Sequence, residues 1–527
     1  MNLSKNLEMS AFYFPERPAV IEDCQEASYA LLNERANRVA TALLKIGIAS
    51  GDHVALCAPN SGDWLAFYFG VIKIGAIAVT LSSQLKADEL TLLVNHSRPK
   101  AIFTHDEKLG DLEKLRDENC LKKIICPQGD LSFEKLLDSG EGVFKAVDAE
   151  RTDTAAILYT GGTTGIPKGV MLSHENINAA IHTVVHHERS TEYDKALCFL
   201  PFNHVFGQMH IMNATILSGG CLELMPGFDL DRVLAAMKAG RITKFFSVPT
   251  IYVRLLTLDR LKETMGDVRY CFSAAASMAA ETVHQWKQRT GLSIYEGYGM
   301  TETTAVSHTS PYTRPKAGSF GVPLPGISAA IIDVEGMQFK PVGEDGELIL
   351  HGPNIMQGYW KRPKETADVL SPDGWLHTGD IGFMDAAVSR SIAASAAKIA
   401  PQEKVIADLK EQVELALRGM LASVRDPDYV HTAGRLQQVE DCRGEVSRAI
   451  KVLAAASREA GAHHDHAVLA LVGGVHQLHV EAVLVPLLVD RPVGDLRVQL
   501  QGAYLRSAFV PVIGPARRAP TGEWRAS

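Results

Sequence analysis

The chain has 527 residues, far more than one ordinary domain needs, so about two to four packed units are expected. Hydrophobic residues make up 46% and charged residues 22%, which supplies a large core and excludes a mainly disordered chain. The net charge of -8 offers no general attraction to nucleic acid polymers or to anionic membranes.

The N-terminal sequence and the cysteines predict the compartment. No apolar run approaches the roughly 18 residues of a membrane span, and the N-terminus lacks the apolar centre of a signal peptide. The eight cysteines are scattered without a Cys-x-x-Cys pair, which is typical of a reducing compartment. We therefore expect a cytoplasmic protein with no membrane span.

Short β-rich runs alternate with helix-length segments through the N-terminal part of the chain. A strand at residues 53–60 precedes a helix and a second strand within residues 64–81. Further strand-like runs occupy residues 100–105, 155–160, 195–202, 243–250 and 268–275. This alternation predicts an α/β fold, with two α/β subdomains built on mostly parallel sheets.

The composition changes twice toward the C-terminus. From Gly318, closely spaced turn signals predict a small β-rich subdomain, residues 318–385, which completes an N-terminal domain spanning residues 1–385. After Asp385 an alanine-rich, mostly helical sequence is followed by apolar, β-like runs. Residues 386–527 are therefore predicted to form an atypical, smaller α+β region.

The segment TGGTTGIPKGV, residues 160–170, is rich in glycine and poor in packing side chains. Glycines let successive backbone N–H groups point at an anion, threonine hydroxyls add donors and Lys168 adds a positive charge. Because a strand-like run precedes the loop and Ser173 is a good helix N-cap, we expect a phosphate site between a strand and a helix. The spacing does not follow the Walker pattern, which disfavours a kinase or GTPase. A glycine loop that binds nothing is the alternative.

Three further motifs accompany this loop in a fixed order. They are YGMTET at residues 298–303, GELILHGPNIMQGYWKRPKET at residues 346–366 and DGWLHTGD at residues 373–380. Together the four motifs resemble the acyl-adenylate-forming superfamily, which contains acyl-CoA synthetases, luciferases and the adenylation domains of peptide synthetases. The resemblance covers roughly residues 10 to 385 and implies that ATP, Mg²⁺ and CoA take part in the reaction.

The resemblance also assigns a nucleotide site. In the family the glycine-rich loop wraps the β- and γ-phosphates, the tyrosine of YGMTET lies near the adenine and its threonine meets the α-phosphate. The glutamate of that motif helps to hold Mg²⁺, and the last aspartate of DGWLHTGD accepts the ribose hydroxyls. The residues at these positions are Thr160, Gly161, Gly162, Thr163, Thr164, Gly165, Lys168, Tyr298, Gly299, Met300, Thr301, Glu302 and Asp380.

For the acid, the family places a pocket between the segment LPFNHVFGQM and the segment FSAAASMA. His204 matches the residue beside the acyl carboxylate, although a lone histidine is more often packed in a core. The pocket residues implied in this chain are apolar or small, and they are Phe206, Gly207, Ser273, Ala274, Ala275 and Ala276. They favour an apolar acyl group, either fatty or aromatic, and provide no cation for a second carboxylate.

The C-terminal sequence departs from the family. Relatives continue with an arginine-containing hinge, for which Arg390 is a weak match, and end near a lysine that contacts the acyl carboxylate and the α-phosphate. No lysine follows Lys451, and Glu523 stands where that lysine is expected. Either a different domain replaces the family's small mobile domain, or a change of reading frame has attached an unrelated tail.

The sequence as a whole predicts an AMP-forming acid:CoA ligase that acts on a small-molecule acid, ATP and CoA. Adenylation needs no nucleophilic side chain, because the charge at the reacting phosphorus is neutralised by backbone N–H groups, a cation and a metal ion. Lys168, Thr301, Glu302 and His204 are the candidate catalytic residues. Two alternatives remain open: a protein that binds nucleotide with impaired catalysis, and an enzyme that passes the acyl group to an amine or a carrier protein.

Overall fold

The computed structural model describes residues 1–116, 121–160, 167–333 and 338–385. The chain divides into two units, Met1–Ser389 and Arg390–Ser527. The second unit, and with it the predicted α+β region 386–527, lies outside the described residues. Within the described ranges, no helix is both long enough and apolar enough to cross a membrane.

The strands are numbered in chain order over the described ranges. They are β1 Pro18–Glu22, β2 Gln25–Ser28, β3 His53–Cys57, β4 Ile77–Thr80, β5 Ala101–Thr104, β6 Lys123–Ile125, β7 Thr154–Thr160, β8 Lys168–Ser173, β9 Lys195–Cys198, β10 Cys221–Leu224, β11 Lys244–Ser247, β12 Tyr270–Ser273, β13 Ile294–Met300, β14 Ala305–Thr309, β15 Val322–Pro323, β16 Ser328–Ile332, β17 Gly346–His351, β18 Gly358–Tyr359 and β19 Leu376–Gly382. All the strands predicted before Gly318 are present.

The helices are numbered in the same way. They are α1 Lys5–Tyr13, α2 Tyr29–Lys45, α3 Gly62–Lys73, α4 Ala87–Ser97, α5 Leu109–Glu113, α6 Phe133–Ser139, α7 His174–His187, α8 Ala214–Ser218, α9 Leu230–Lys238, α10 Pro249–Leu255, α11 Leu261–Thr264, α12 Ala280–Thr290 and α13 Pro363–Ala367. Two 3₁₀-helices, Asp106–Lys108 and Thr301–Thr303, and a π-helix, Phe206–Asn213, complete the set.

Two large sheets carry the fold. One has the strand order β18-β8-β7-β4-β3-β5-β6 and the other β15-β14-β13-β12-β11-β9-β10-β1-β2. From β7 to β6 in the first sheet and from β13 to β1 in the second, neighbouring strands run parallel. The predicted α/β class with mostly parallel sheets is confirmed, since helices connect most of these parallel strands.

The β-rich segment contributes to all three sheets of the structure. Strands β16, β17 and β19 form a separate antiparallel sheet. Strand β15 instead extends the nine-stranded sheet beside β14, and β18 extends the seven-stranded sheet beside β8. Only part of residues 318–385 therefore forms a sheet of its own, and the domain limits 1–385 and 318–385 remain predictions.

Helices α2 and α3 cross closely in the largest core cluster. A Cβ atom added at Gly70 of α3 would lie 2.5 Å from Cγ1 of Val39 in α2, so the backbones approach too closely for a side chain there. Ser61 caps α3, and its hydroxyl accepts a hydrogen bond from the Trp64 N–H. Five of the six described cysteines are buried, Cys24 is exposed, and all six are free thiols.

Candidate active site

Several strands of the nine-stranded sheet end at one edge, and the predicted site residues follow them. His204 lies after β9, Ala274 follows β12, and Gly299 and Met300 end β13. Strands β9, β11, β12 and β13 run parallel to one another. Because the carboxyl ends of parallel strands share an edge, the predicted acid pocket and the YGMTET motif lie side by side, in the position where α/β sheets bind ligands.

The YGMTET motif forms a tight turn at the end of β13. Gly299 allows the turn to close, since a Cβ atom there would lie 1.8 Å from the carbonyl oxygen of Ala305. The 3₁₀-helix Thr301–Thr303 follows, and Thr304 and Ala305 adopt positive φ angles of 55° and 101°. Such angles in non-glycine residues cost about 1–3 kcal/mol each and are concentrated at functional sites.

A neighbouring segment holds this strained turn in place. The hydroxyl of Thr304 donates to the carbonyl oxygen of Asn354 at 2.7 Å, and the Asn354 amide donates to the carbonyl oxygen of Thr303 at 3.0 Å. The N–H of Met356 donates to the carbonyl oxygen of Glu302 at 2.9 Å. The segment GPNIM therefore fixes the backbone on which Thr301 and Glu302 are carried.

Tyr298 and Asp380 meet across two elements that lie far apart in the sequence. The hydroxyl of Tyr298 donates to Oδ2 of Asp380 at 2.6 Å. Burial, together with the hydrogen bond to Asp380, raises the pKa of Tyr298, so the hydroxyl remains a donor. Tyr298 is half-buried and Asp380 is exposed. The pair presents an aromatic ring next to a solvent-accessible carboxylate.

Lys168, Tyr359 and Glu302 form a second chain of contacts. The ammonium of Lys168 lies 4.8 Å from the ring centroid of Tyr359, a cation–π distance. The Tyr359 hydroxyl donates to Oε1 of Glu302 at 2.7 Å. Glu302 is only 6% exposed. Among the described residues its Oε2 has no hydrogen-bond or ion-pair partner, which leaves one carboxylate oxygen available as a ligand.

The glycine-rich loop connects two strands, and the expected strand-to-helix connection is wrong. Thr160 ends β7 and Lys168 begins β8, and the two residues are paired in an antiparallel ladder. Helix α7 begins only after β8, where the predicted N-cap Ser173 does accept from the Asn176 N–H. Residues 168–173 pair with β7 along their whole length and bury Val170 and Leu172, so they extend as a strand before the helix can start.

His204 is exposed, so it is not packed in a core as the alternative reading of a lone histidine expected. Its Nδ1 accepts a hydrogen bond from the Phe206 N–H at 3.2 Å. Partial burial of the ring lowers the pKa of His204, so the neutral form is favoured. With Nδ1 accepting, the proton of the neutral ring lies on Nε2, which is then free to donate.

The acid-pocket residues divide into two groups. Phe206 of the π-helix and Ala274 after β12 belong to the same buried cluster, and Gly207 is buried in the π-helix beside Phe206. Side chains alternate along a strand, so Ser273 faces away from Phe272 and from the π-helix. Ala275 and Ala276 are exposed, and Ala275 has a positive φ of 70°. Phe206 and Ala274 therefore share one buried cluster with Gly207 next to Phe206, whereas Ser273 lies on the other face of the sheet.

Two further residues, Tyr359 and Asn354, contact the candidate site, and the sequence motifs do not assign them a role. Both residues lie within the motif GPNIMQGYW, part of the family-like segment at residues 346–366. The motif itself was the available signal, but the contacts to Glu302 and Thr303 depend on how β18 and the preceding loop pack. Strand β18 pairs with β8, which begins at Lys168, and this pairing brings Tyr359 to the site.

Gly161, Gly162, Thr163, Thr164, Gly165 and Arg390 lie outside the described residues. In the part of the chain that is described, no three His, Cys, Asp or Glu side chains gather as a metal-binding cluster. The site thus offers one carboxylate of a buried residue, Glu302. A single carboxylate suits a metal ion whose remaining ligands are water molecules and phosphate oxygens.

The arrangement combines groups suited to a nucleotide. It has an aromatic ring beside a carboxylate, a lysine next to a glycine-rich loop, and a buried carboxylate with one free oxygen. A neutral histidine donor lies at the same edge of the nine-stranded sheet as the YGMTET turn. Preorganised donors and charges of this kind stabilise charge that develops during group transfer.

Comparisons with known proteins identify the family to which the chain is similar. A sequence model for "AMP-binding enzyme" matches residues 7–360. A long-chain-fatty-acid–CoA ligase from Bacillus subtilis is 31% identical over 418 residues, which cover 73% of this chain and 74% of that protein. A feruloyl-CoA synthase from Amycolatopsis is 30% identical over 375 residues, covering 70% and 74%. The crystal structure of ATP-bound MatB from Rhodopseudomonas palustris matches with a TM-score of 0.69 and 33% identity, covering 74% of this chain and 78% of that one.

Proposed function

The chain belongs to the family of AMP-binding enzymes, and we propose that it activates a carboxylic acid with ATP and transfers the acyl group to CoA. The pairing of Tyr298 with Asp380 beside the Lys168–Tyr359–Glu302 contacts carries this proposal. The names of the two ligases reported above describe the joining of a fatty acid or an aromatic acid to CoA. This supports the same reaction class for this chain. A cytoplasmic location goes with the proposal, since ATP and CoA are supplied there.

The nucleoside would lie against Tyr298 and Asp380. The half-buried ring offers an apolar face for the adenine, and the exposed carboxylate accepts hydrogen bonds from the ribose hydroxyls. The hydroxyl of Tyr298 already occupies one oxygen of Asp380 and thereby orients the carboxylate. Fixed donors and acceptors of this kind determine how a ligand is oriented in a mostly apolar site.

The phosphates would lie between the glycine-rich loop and the YGMTET turn. Thr301, which is 8% exposed, is proposed to donate to the α-phosphate, and Lys168 to offset the charge of the β- and γ-phosphates. The free oxygen of Glu302 fits a hard divalent cation, and we propose that it holds Mg²⁺. When bound, Mg²⁺ supplies positive charge beside the phosphate oxygens.

The reaction then follows in two steps. A carboxylate oxygen of the acid attacks the α-phosphorus, a new P–O bond forms, and pyrophosphate leaves with the electron pair of the bond that breaks. The thiolate of CoA next attacks the acyl carbon, and AMP leaves. His204 is proposed to donate from Nε2 to the acid and to position its carboxylate for the first step.

A second candidate function is nucleotide binding with impaired turnover, and the C-terminal sequence favours it. The family match ends at residue 360, and no lysine follows Lys451. Without a cation from the C-terminal region, charge on the attacking carboxylate and on the phosphorane would be less well neutralised. Transfer of the acyl group to an amine or a carrier protein is a third outcome that the same assay detects.

The test is acid-dependent release of pyrophosphate from ATP by the full chain, with a panel of fatty and aromatic acids, with and without CoA. The proposal predicts release that depends on the acid and AMP formation that depends on CoA. Lys168→Ala should lower the release rate by about a hundredfold, the size expected for loss of one charged transition-state contact. Lys238→Ala, which truncates an exposed lysine at the end of α9, should leave the rate unchanged.

Other outcomes of this assay would support a different function. Bound ATP without pyrophosphate release would support the nucleotide-binding candidate. Pyrophosphate release without CoA-dependent formation of AMP would point to an amine or a carrier protein as acceptor. Equal rates in Lys168→Ala and in the unmodified protein would refute the role given to Lys168.

A further inference from the structure

A layer of aromatic rings fills the space between the π-helix and the nine-stranded sheet. The ring of His210 stacks on Phe272 with centroids 4.5 Å apart and meets Phe246 edge-on at 5.5 Å. Phe206 meets Phe272 at 5.8 Å. The four side chains are between 0% and 5% exposed. Rings packed at these distances leave no passage for a hydrocarbon chain between these elements, which are fully described.

Phe272 also limits the depth of the site on the side of β13. A Cβ atom at Gly297 would lie 2.4 Å from Cζ of Phe272, so the ring rests against the backbone of that strand. Gly297 precedes Thr301 by four residues. With a rise of at most about 3.3 Å per residue, Gly297 lies no more than about 13 Å from Thr301, where the α-phosphate is proposed to bind.

A buried ionic cluster backs the aromatic layer. His210 donates from Nε2 to Oε1 of Glu188 at 2.7 Å, and Lys244 approaches Oε2 of Glu188 at 3.2 Å. Lys244 also donates to the hydroxyl of Ser190 at 2.6 Å. Burial alone would raise the pKa of Glu188, but Lys244 and His210 together lower it, so the carboxylate stays ionised. Inserting an apolar tail here would separate charges that are held out of water, which is strongly unfavourable.

A cavity of about 470 Å³ lies on the other side of this cluster. Glu188, Lys244 and Tyr270 line it, together with Arg189, Thr191, Tyr193, Arg269 and Tyr312. Lys244 and Tyr270 begin β11 and β12, so the cavity is at the amino edge of the sheet, opposite the candidate active site. The aromatic layer and the ionic cluster together separate this cavity from the acid pocket.

We infer that Phe206, His210 and Phe272, held by Glu188 and Lys244, close the acid pocket and restrict the substrate to a compact acyl group. This inference rests on the proposed function and narrows its substrate class to short aliphatic or single-ring aromatic acids. A long unbranched acyl chain would have to displace the rings or leave the pocket toward solvent. In either case the acyl chain buries less apolar surface, so it binds with a less favourable free energy.

The test uses binding, so it does not depend on turnover. Stable acyl-AMP mimics, the 5′-O-(N-acylsulfamoyl)adenosines with butanoyl, benzoyl, octanoyl and hexadecanoyl groups, are titrated into the full chain by calorimetry. The butanoyl and benzoyl compounds should bind at least about tenfold more tightly than the hexadecanoyl compound. In Phe272→Ala the affinity for the octanoyl compound should rise by about tenfold relative to butanoyl.

The matched control is Phe245→Ala, which removes a fully buried ring on the opposite face of the sheet, where it packs on Tyr252. It should leave the ratio of octanoyl to butanoyl affinity unchanged. If Phe272→Ala fails to fold, the Phe272→Leu variant and the titration of the four acyl compounds into the unmodified chain still test the inference. Hexadecanoyl binding equal to butanoyl binding would overturn the inference and leave the proposed function intact. Failure of every mimic and of AMP to bind would instead refute the proposed function.

Discussion

At the scale of single residues, the hydroxyl of Tyr359 donates a hydrogen bond to the carboxylate of Glu302 and orients it. Tyr359→Phe keeps the ring beneath Lys168 and removes the donor to Oε1. A hydrogen bond to a charged group contributes about 1.5–3 kcal/mol, so we expect kcat/KM for pyrophosphate release to fall by roughly tenfold or more. The rate is measured as a function of Mg²⁺ concentration in both proteins.

The control for this change is Tyr193→Phe, which removes a hydroxyl from a tyrosine that is 66% exposed. That variant should retain the full rate. A Tyr359→Phe protein with the unmodified rate at every Mg²⁺ concentration would show that the hydroxyl does not orient Glu302 for the reaction.

At the scale of secondary-structure elements, the contact between α2 and α3 depends on the absence of a side chain at Gly70. A methyl group there would lie 2.5 Å from Cγ1 of Val39 and 3.0 Å from the carbonyl oxygen of Ala36. Gly70→Ala should therefore destabilise the fold by about 1–3 kcal/mol, despite the higher helix propensity of alanine. Thermal unfolding of the two proteins measures the difference in Tm.

Gly110→Ala in α5 is the matched control, because an added Cβ atom there has nothing within 4 Å. Its Tm should stay the same or rise slightly, as expected from propensity alone. A Gly70→Ala protein as stable as the Gly110→Ala protein would mean that the two helices separate at little cost.

At the scale of the whole molecule, buried Glu296 makes stability depend on pH. Burial raises the pKa of Glu296 from 4.5 to about 7, against the lowering effect of the Gly318 N–H donor. The unfolded chain loses this proton near pH 4.5 and the folded chain loses it near pH 7. The contribution of Glu296 to the free energy of unfolding is therefore complete below pH 4.5 and is lost as the pH rises through 7. The shift corresponds to about 3 kcal/mol of stability.

Glu296→Gln keeps the shape of the side chain and removes the titration. Between pH 4.5 and 7 the unmodified protein should lose about 3 kcal/mol of unfolding free energy relative to this variant, as followed by thermal unfolding across the pH range. Glu281→Gln, at an exposed position of helix α12, serves as the control and should parallel the unmodified protein. Parallel curves for Glu296→Gln and the unmodified protein would contradict the raised pKa.

The sequence by itself determined the elements and the chemistry of the motifs. Runs such as HVALC and KFFS are short and rich in apolar residues, which favours buried strands, and their alternation with helices predicts parallel sheets. Tyr298, Glu302 and Lys168 were identified from their motifs because each motif is contiguous in the chain. The local sequence predicts these features because strand formation, helix capping and glycine turns depend on residues that are neighbours in the chain.

Only the tertiary structure decided which of these residues meet. Tyr298 and Asp380 are 82 residues apart and Tyr359 and Glu302 are 57 apart, and no local pattern encodes such contacts. The glycine-rich loop is a strand-to-strand connection because β8 pairs with β7 and β18, a choice made by packing between distant segments. The inferred closure of the acid pocket likewise depends on a π-helix from one part of the chain packing its rings against strands from another.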